Sequence, residues 1–145
     1  MYHHILIPTD GSALATTAVK QGLDFAKAIG AEVTVLTVHE PFHIFTLETE
    51  MLTDTYSAFK DHSKKHARAI LEKIETLAQA RNIKCETLDI ESDYPYEAII
   101  NTAKKKKCDL IAMASHGHGG VKAMILGSET QKVLTHSTIP VLVYR

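Results

Sequence analysis

A cluster of glycines late in the sequence contains the residues best suited to binding a small molecule. Three of them lie between positions 117 and 120, and Gly127 directly precedes Ser128. Glycine loses more backbone freedom on folding than any other residue, so such a cluster favours close backbone approach or positive φ angles. Ser128 and Gln131 match a capping box, which predicts a helix with Ser128 as its N-cap. Free N–H groups at a helix start that follows glycine are typical of an anion site.

Several of these features also have a plainer interpretation. A glycine-rich loop can be a structural turn, and the carboxylate of Asp10 either caps the helix that follows it or contacts a ligand. His116 and His118 provide two imidazoles on one loop, which is an incomplete zinc site without a third ligand. His62 and His66 share a helix face, and a polar surface is favoured there because the glutamate of a His-Glu-x-x-His motif is absent.

Motifs for catalysis are missing from the sequence. Neither Ser115 nor Ser128 lies in a Gly-x-Ser-x-Gly elbow, which disfavours a serine nucleophile. Neither Gly117 nor Gly127 leads into Gly-Lys-Ser/Thr, so the Walker A lysine that stabilises phosphoryl transfer is absent. The glycine cluster also lacks the last glycine of the dinucleotide fingerprint, which disfavours NAD. The sequence therefore favours binding over efficient ATP hydrolysis.

The composition predicts one domain, residues 1–145, with a substantial core. The sequence has 145 residues, 45% of them hydrophobic, and a formal net charge of −1. This charge disfavours a nucleic-acid partner. No apolar run approaches the ~18 residues of a membrane span and no signal peptide is recognisable, so we expect a cytoplasmic protein without a membrane partner. Cys85 and Cys108 form no Cys-x-x-Cys motif and are predicted to be buried thiols.

Strands and helices are predicted to alternate along the chain. Helical periodicity begins at Ser12, again between residues 48 and 55, then at Pro95 and finally at Ser128, while residues 39–54 are predicted to be mainly loop. Such alternation predicts an open parallel sheet in an α/β sandwich, and ligands bind these sheets at the carboxyl ends of strands where the winding reverses. If the first and fourth strands are neighbours, the turns after them face one crevice. The predicted strands cover residues 4–8, 32–38, 84–90, 110–114 and 140–144.

The chain resembles universal stress proteins of the nucleotide-binding type. Their signature is Gly-x-x-Gly, nine residues, then Gly-Ser or Gly-Thr, and residues 114–117 with Gly127 and Ser128 match it except that Ala114 replaces the first glycine. The resemblance implies a Rossmann-like, three-layer sandwich (adenine nucleotide alpha hydrolase-like) with a five-stranded parallel sheet of order 3-2-1-4-5. Further matching stretches are Ile-Leu-Ile-Pro-Thr-Asp-Gly-Ser at 5–12, Val-Leu-Thr-Val-His at 35–39 and Ile-Pro-Val-Leu-Val at 139–143.

The same resemblance implies a site for ATP or another adenine nucleotide. Adenine is expected against the ends of the first two strands, and Asp10 near the ribose and phosphates, in some members through a divalent metal such as Mg²⁺. The segment 113–117 is expected along the ribose, and the phosphates on the backbone around Gly117 and Gly127. The residues expected at the site are Pro8, Thr9, Asp10, Val38, Met113, Ala114, His116, Gly117, Gly127, Ser128, Glu129 and Thr130.

Three functions follow from this interpretation. The first is a binding module that holds an adenine nucleotide and signals stress or energy state to a regulatory protein partner that the sequence does not identify. The second is a slow ATPase or autophosphorylating protein that uses Asp10 with a metal, and Ser128 or Thr130 near the phosphates. The third is an interaction protein that works without nucleotide. The retained glycine loop favours the first.

A homodimer is also expected. The fifth strand is apolar and should form a sheet edge that needs cover. The resemblance places dimer contacts on this strand, at Ile139, Val141 and Val143.

Overall fold

The computed structural model describes residues 1–41, 49–118 and 126–145, with the backbone alone for residues 49–54. Residues 42–48 of the predicted loop and Gly119 and Gly120 of the glycine cluster lie outside the described residues. The strands are β1 (His4–Pro8), β2 (Glu32–His39), β3 (Cys85–Glu91), β4 (Leu110–Ala114) and β5 (Val141–Tyr144). The helices are α1 (Ala13–Ile29), α2 (Thr49–Ala80), α3 (Pro95–Lys105) and α4 (Ser128–His136).

The predicted elements are confirmed to within one or two residues. β2 extends one residue beyond the prediction, β3 is shifted by one residue from the predicted 84–90, and α2 begins at Thr49, inside the predicted interval. β5 begins at Val141 instead of Pro140, which has no N–H for the sheet, although its carbonyl accepts a hydrogen bond from Ile111 N at 2.9 Å. Helix ends and strand ends shift by this much between assignment methods.

The five strands form one parallel sheet in the order β3-β2-β1-β4-β5. The α/β fold and the strand order implied by the resemblance are therefore confirmed. The chain winds outward from β1 through β2 to β3 and then returns to β4 on the other side of β1. The winding reverses between β1 and β4, which is where ligands bind in open α/β sheets.

Helices cover both faces of the sheet because successive strand residues point to opposite sides. On one face Ile5 and Val33 pack with Val19 of α1 and Leu71 of α2. On the other face Leu6, Leu36 and Ile111 pack with Ile99 of α3 and Val133 of α4. The central strands are buried on both faces, as their nearly continuous apolar runs predict. β3 lies at one edge and carries exposed polar residues, which confirms its predicted edge position.

The 32-residue α2 has two parts with different surroundings. Its second half packs on the sheet through Ala67, Leu71, Ile74 and Ala78, which are at most 6% exposed. The side chains of residues 55–62 are exposed. In the described ranges neither this helix nor any other has the length and apolarity needed to cross a membrane.

The two cysteines differ in burial. Cys108 is buried, as predicted, but Cys85 is only partly buried, so that part of the prediction is wrong. Cys85 opens the edge strand β3, and an edge strand lacks a neighbour that would cover it. Desolvation raises the pKa of Cys108 to about 12 and that of Cys85 to about 11. Both thiols are therefore poor nucleophiles near neutral pH.

Candidate functional site

The turns after β1 and β4 meet at the carboxyl end of the sheet. The two strands pair directly, with Leu6 opposite Ile111, so the segments that follow them leave the sheet side by side. Asp10 joins the turns, because its Oδ2 accepts a hydrogen bond from His118 N at 2.9 Å and its carbonyl lies 3.0 Å from His118 Nε2. The crevice expected between these turns is confirmed.

Asp10 connects the β1 turn to the β4 loop and does not cap α1. The cap of α1 is Ser12, whose Oγ accepts a hydrogen bond from Ala15 N at 3.2 Å. Asp10 Oδ1 instead accepts a hydrogen bond from Ser12 N at 3.0 Å, one step before the helix. The interpretation of Asp10 as a helix cap is therefore wrong.

The carboxylate of Asp10 is held in its charged form. Partial burial disfavours the charge, but hydrogen bonds donated by Ser12 and by the backbone of His118 outweigh this effect, and the pKa of Asp10 lies below its ordinary value. The site thus contains a negative charge at neutral pH.

Two glycines permit the close approach of the three segments around Asp10. A Cβ at Gly117 would collide with Asp10 Oδ2. A Cβ at Gly127 would lie 3.0 Å from His116 Cα and 3.3 Å from Ser115 O, and Gly127 N donates a hydrogen bond to Ser115 O at 2.7 Å. The loop after β4 and the start of α4 therefore touch backbone to backbone.

The start of α4 differs from the prediction. Its N-cap is Gly127, which has no side chain to cap the helix, and Ser128 is the first helical residue. The first intrahelical bond runs from Gln131 N to Gly127 O at 3.0 Å, while Gln131 Nε2 donates to Leu126 O at 2.9 Å, so the predicted capping box does not form. The bond from Gly127 N to Ser115 O holds Gly127 in an extended conformation and moves the helix start by one residue. The N–H groups of residues 128–130 consequently have no intrahelical acceptor.

Two side chains of the first turn of α4 tie the site to its surroundings. Thr130 is buried, and its Oγ1 donates a hydrogen bond to Ala114 O at 3.0 Å. Glu129 Oε2 accepts a hydrogen bond from Tyr96 N at 2.9 Å, near the start of α3, where the N-cap Tyr94 supplies no side-chain bond. The carboxylate of Glu129 thus stabilises the start of α3. The backbone N–H of Glu129 remains one of those at the start of α4 that have no intrahelical acceptor.

All twelve residues expected at the site line one cavity of about 360 Å³. This volume lies within the range of small-molecule pockets, which is about 300 to 1,000 Å³. The cavity has an apolar end beside Leu36, Val38 and Ile99 and a polar end beside Asp10 and the start of α4. Its lining also includes five residues that the sequence did not indicate for this site or for this role: Ala15, Leu36, Pro95, Ile99 and His118.

Ala114 fits its position without strain. It is 7% exposed and packs with Ala15 and Ala18 of α1. Among the described residues the non-glycine residues with positive φ are Asn82 and Lys107, so the backbone at Ala114 is in a conformation that alanine readily adopts. The alanine in place of the first signature glycine is therefore compatible with the observed cavity.

The arrangement is suited to binding. Ser115 Oγ lies 3.1 Å from His116 Nδ1, but Ser115 is 5% exposed and does not line the cavity, so it is poorly placed to act as a nucleophile. A cavity that combines apolar side chains, a helix start and the carboxylate of Asp10 can hold a molecule that has an apolar group and an anionic group.

Comparison with known proteins identifies the family. The model of the universal stress protein family matches residues 1–145. Universal stress protein MJ0531 of Methanocaldococcus jannaschii is 31% identical over all of this chain and 83% of its own length. The structure of protein MJ0577 from the same organism superposes with a TM-score of 0.82 at 30% identity, covering 99% of this chain and 95% of that chain.

A more distant solved structure shares the fold. A universal stress protein in complex with cAMP superposes with a TM-score of 0.74 at 24% identity, covering 99% of this chain and 97% of that chain. The match over every residue, the identity to MJ0531 and the common strand order agree with one another. The chain belongs to the universal stress protein family.

Proposed function

We propose that this chain is a regulatory module that binds ATP or another adenine nucleotide. The observation that carries the proposal is the uncapped start of α4, which opens on the same cavity as the apolar ends of β1 and β2. Backbone N–H groups and the positive end of the helix dipole stabilise phosphate oxygens at such a position. The cavity and the family together support an adenine nucleotide as the ligand.

The lining residues divide into two groups by chemistry. Adenine packs against the apolar end, which Leu36, Val38 and Ile99 form together with Pro8 and Thr9. The ribose lies along the segment 113–117, and the phosphates contact the backbone of Gly117 and of residues 127–130. These assignments rest on the position of each residue in the cavity and on the resemblance.

Asp10 fits the role of a ligand to a nucleotide-bound Mg²⁺. Magnesium is usually held by one or two carboxylates together with phosphate oxygens. Asp10 is charged, lines the cavity and retains lone pairs beyond the hydrogen bonds from Ser12 and His118. When bound, the metal would offset the repulsion between this carboxylate and the phosphates.

The proposal includes a cytoplasmic homodimer of a single-domain chain that transmits its nucleotide state to a protein partner. β5 is a sheet edge, and Val141 and Val143 are only partly buried in the single chain. Covering this edge with a second copy would bury Ile139, Val141 and Val143. We expect Val141→Lys to convert a dimer into a monomer in sedimentation velocity at micromolar concentration. A protein that sediments as a monomer before substitution contradicts the dimer.

In the structure, fewer residues are available to support the ATPase alternative than the sequence suggested. Thr130 Oγ1 already donates a buried hydrogen bond to Ala114 O. Ser128, which is exposed and lines the cavity, is therefore the better placed hydroxyl. Among the described lining residues none is a lysine or arginine that would stabilise transferring charge. Nucleotide binding is thus better supported than ATP hydrolysis.

The test is to identify what the purified protein carries. Untagged protein is heat-denatured, and the supernatant is separated by ion-pair chromatography with mass detection. We expect an adenine nucleotide near one equivalent per chain, and calorimetry with ATP, AMP and cAMP in the presence of magnesium to show saturable binding. No released nucleotide and no saturable binding would favour the interaction protein that works without nucleotide.

A further inference from the structure

Asp10 stands between two cavities. Besides the cavity of about 360 Å³ at the start of α4, it lines a second one of about 250 Å³, which lies between α2 and the carboxyl ends of β2 and β3. Its carboxylate serves a nucleotide in the first cavity only while it is held on that side. The contacts that hold Asp10 there therefore matter for the proposed Mg²⁺ position.

His118 contacts Asp10 at two points. Its backbone N donates a hydrogen bond to Asp10 Oδ2 at 2.9 Å, and its Nε2 lies 3.0 Å from Asp10 O. A carbonyl oxygen can only accept, so Nε2 carries a hydrogen and donates it. His118 lines the first cavity and not the second, so it holds both the side chain and the main chain of Asp10 from the side of the first cavity.

The imidazole contact depends on the type of residue at position 118. The hydrogen bonds that Ser12 N and His118 N donate to the carboxylate come from main-chain N–H groups, which every residue except proline has. Gly117 and Gly119, on either side of His118, have no side chains. Within residues 117–119 the imidazole is therefore the side chain that fixes the loop to the β1 turn.

We propose, on the basis of the proposed function, that His118 is a positioning residue that holds Asp10 in place as a ligand of a nucleotide-bound Mg²⁺. Mg²⁺ demands near-ideal octahedral geometry and is usually bound by one or two carboxylates together with phosphate oxygens. A carboxylate in this role must be oriented accurately. Loss of a group that orients a metal ligand typically costs about 10- to 100-fold in metal affinity. His118 acts in this way through Asp10.

The test is a calorimetric titration of the untagged protein with ATP, once with magnesium chloride and once with a chelator. The ratio of the two dissociation constants gives the enhancement by magnesium. We expect His118→Ala to reduce this enhancement about tenfold and to change the affinity without magnesium much less. A role limited to loop structure would lower both affinities equally.

Two amide variants test the donor at position 118. The side-chain nitrogen of glutamine lies about as far along the side chain as Nε2 of histidine, and it can donate to the same carbonyl oxygen. His118→Gln should therefore restore most of the enhancement by magnesium. His118→Asn carries the same amide on a shorter side chain and should behave as His118→Ala does.

The matched control is His3→Ala. His3 also contacts an aspartate, because its Nδ1 lies 3.2 Å from Asp109 Oδ2, but it lines neither cavity. This variant should keep the full enhancement by magnesium.

An enhancement that His118→Ala leaves unchanged, or that His118→Gln fails to restore, overturns the role of His118 while ATP binding itself stands. An unsubstituted protein that binds ATP equally well without magnesium also overturns it. An unsubstituted protein that binds no ATP in either buffer contradicts the proposed function, and the role of His118 falls with it.

Discussion

An aspartate joins β1 to β4 at each end of these two strands, and the cavity lined by the expected site residues lies at the carboxyl end. At the amino end Asp109 accepts hydrogen bonds from His3 N and His4 N, at 2.9 to 3.0 Å. At the carboxyl end Asp10 accepts hydrogen bonds from Ser12 N and His118 N, at 3.0 and 2.9 Å. In both cases these hydrogen bonds outweigh desolvation and lower the pKa of the carboxyl group.

The two ends differ in what surrounds the aspartate. Asp109 is 40% exposed and lines neither of the two cavities, whereas Asp10 lines both. The uncapped start of α4 lines the same cavity as Asp10, because in parallel sheets the following helices begin near the carboxyl ends of the strands. Backbone hydrogen bonds to an aspartate therefore indicate a structural role, which both aspartates share. Only the cavity and the helix start near Asp10 indicate a binding site.

Among substitutions that compare the two ends of the sheet, we expect those at glycines to have the largest effect. Gly127→Val places a branched side chain about 3 Å from His116 Cα, which should lower stability by about 1 to 3 kcal/mol and abolish nucleotide binding in calorimetry. Gly30→Ala is the control at the other end, since Gly30 has a φ of 71° but open space around it. It should cost about 1 kcal/mol and leave nucleotide affinity unchanged. Equal affinities in both variants would contradict the proposed phosphate position.

Neutralising the two aspartates should have the next largest effect. Asp10→Asn removes charge-assisted hydrogen bonds and should lower stability by about 1 to 3 kcal/mol, and Asp109→Asn should cost less because Asp109 is more exposed. Only Asp10→Asn should change the magnesium dependence of nucleotide binding. An equal change in Asp109→Asn would remove the distinction between the two ends.

The same pair predicts a pH dependence. Each folded-state pKa lies below its unfolded value near 3.9, so the stabilisation is complete above about pH 4 and is lost as the pH falls through the folded pKa. Denaturant unfolding followed from pH 7 to pH 2 should show each variant approaching the unsubstituted protein only at the acid end. A constant difference across this range would mean that the charge of the aspartate is not what stabilises the turn.

Two buried threonines provide a smaller comparison. Thr130 Oγ1 donates to Ala114 O at 3.0 Å beside the cavity, and Thr34 Oγ1 lies 2.8 Å from His4 Nε2 toward the other end of the sheet. Thr130→Val removes the hydrogen bond to Ala114 O, and Thr34→Val removes the partner of the half-buried His4 Nε2, so each change should cost about 1 to 2 kcal/mol in chemical denaturation. Nucleotide affinity should fall in Thr130→Val alone, because this bond holds the start of α4 against β4.

The smallest effect is expected at two glutamates. Glu129→Gln weakens the interaction of its side chain with Tyr96 N at the start of α3 and should cost about 0.3 to 1 kcal/mol. Glu32, whose Oε1 lies 2.6 Å from Lys84 Nζ, forms an exposed surface pair, and Glu32→Gln should leave the melting temperature unchanged. A melting temperature that falls in Glu32→Gln would show that this surface ion pair contributes to stability.

The sequence predicted the elements well because their signals are local. Buried strands such as β1 and β4 are continuous apolar runs, and α1 carries its apolar stripe between Ser12 and Gly30. The strand order required the family resemblance, because pairing between β1 and β4 joins residues about a hundred positions apart. All twelve expected site residues meet at one cavity for the same reason: they lie at or beyond the carboxyl ends of strands whose order the resemblance supplied.

The errors arose where a distant contact overrides a local signal. The pattern Ser-x-x-Gln is the same whether Ser128 is the cap or the first helical residue, and the hydrogen bond from Gly127 N to Ser115 O decides between them. Pro95 and Ile99 were missed because α3 reaches the cavity only through tertiary packing. His118 was considered only as part of an incomplete zinc site, since its role in holding Asp10 cannot be seen in a loop sequence.

The most direct test of the nucleotide site is a nuclear magnetic resonance titration that follows backbone amides at both ends of the sheet. We expect AMP with magnesium to shift the amides of Gly117 and of residues 127–130, and adenosine, which lacks phosphate, to shift those near Val38 with little change at 127–130. The amides of His3 and His4 beside Asp109 should not move with either ligand. Shifts confined to the amino end, or AMP shifts that spare residues 127–130, would contradict a phosphate site at the start of α4.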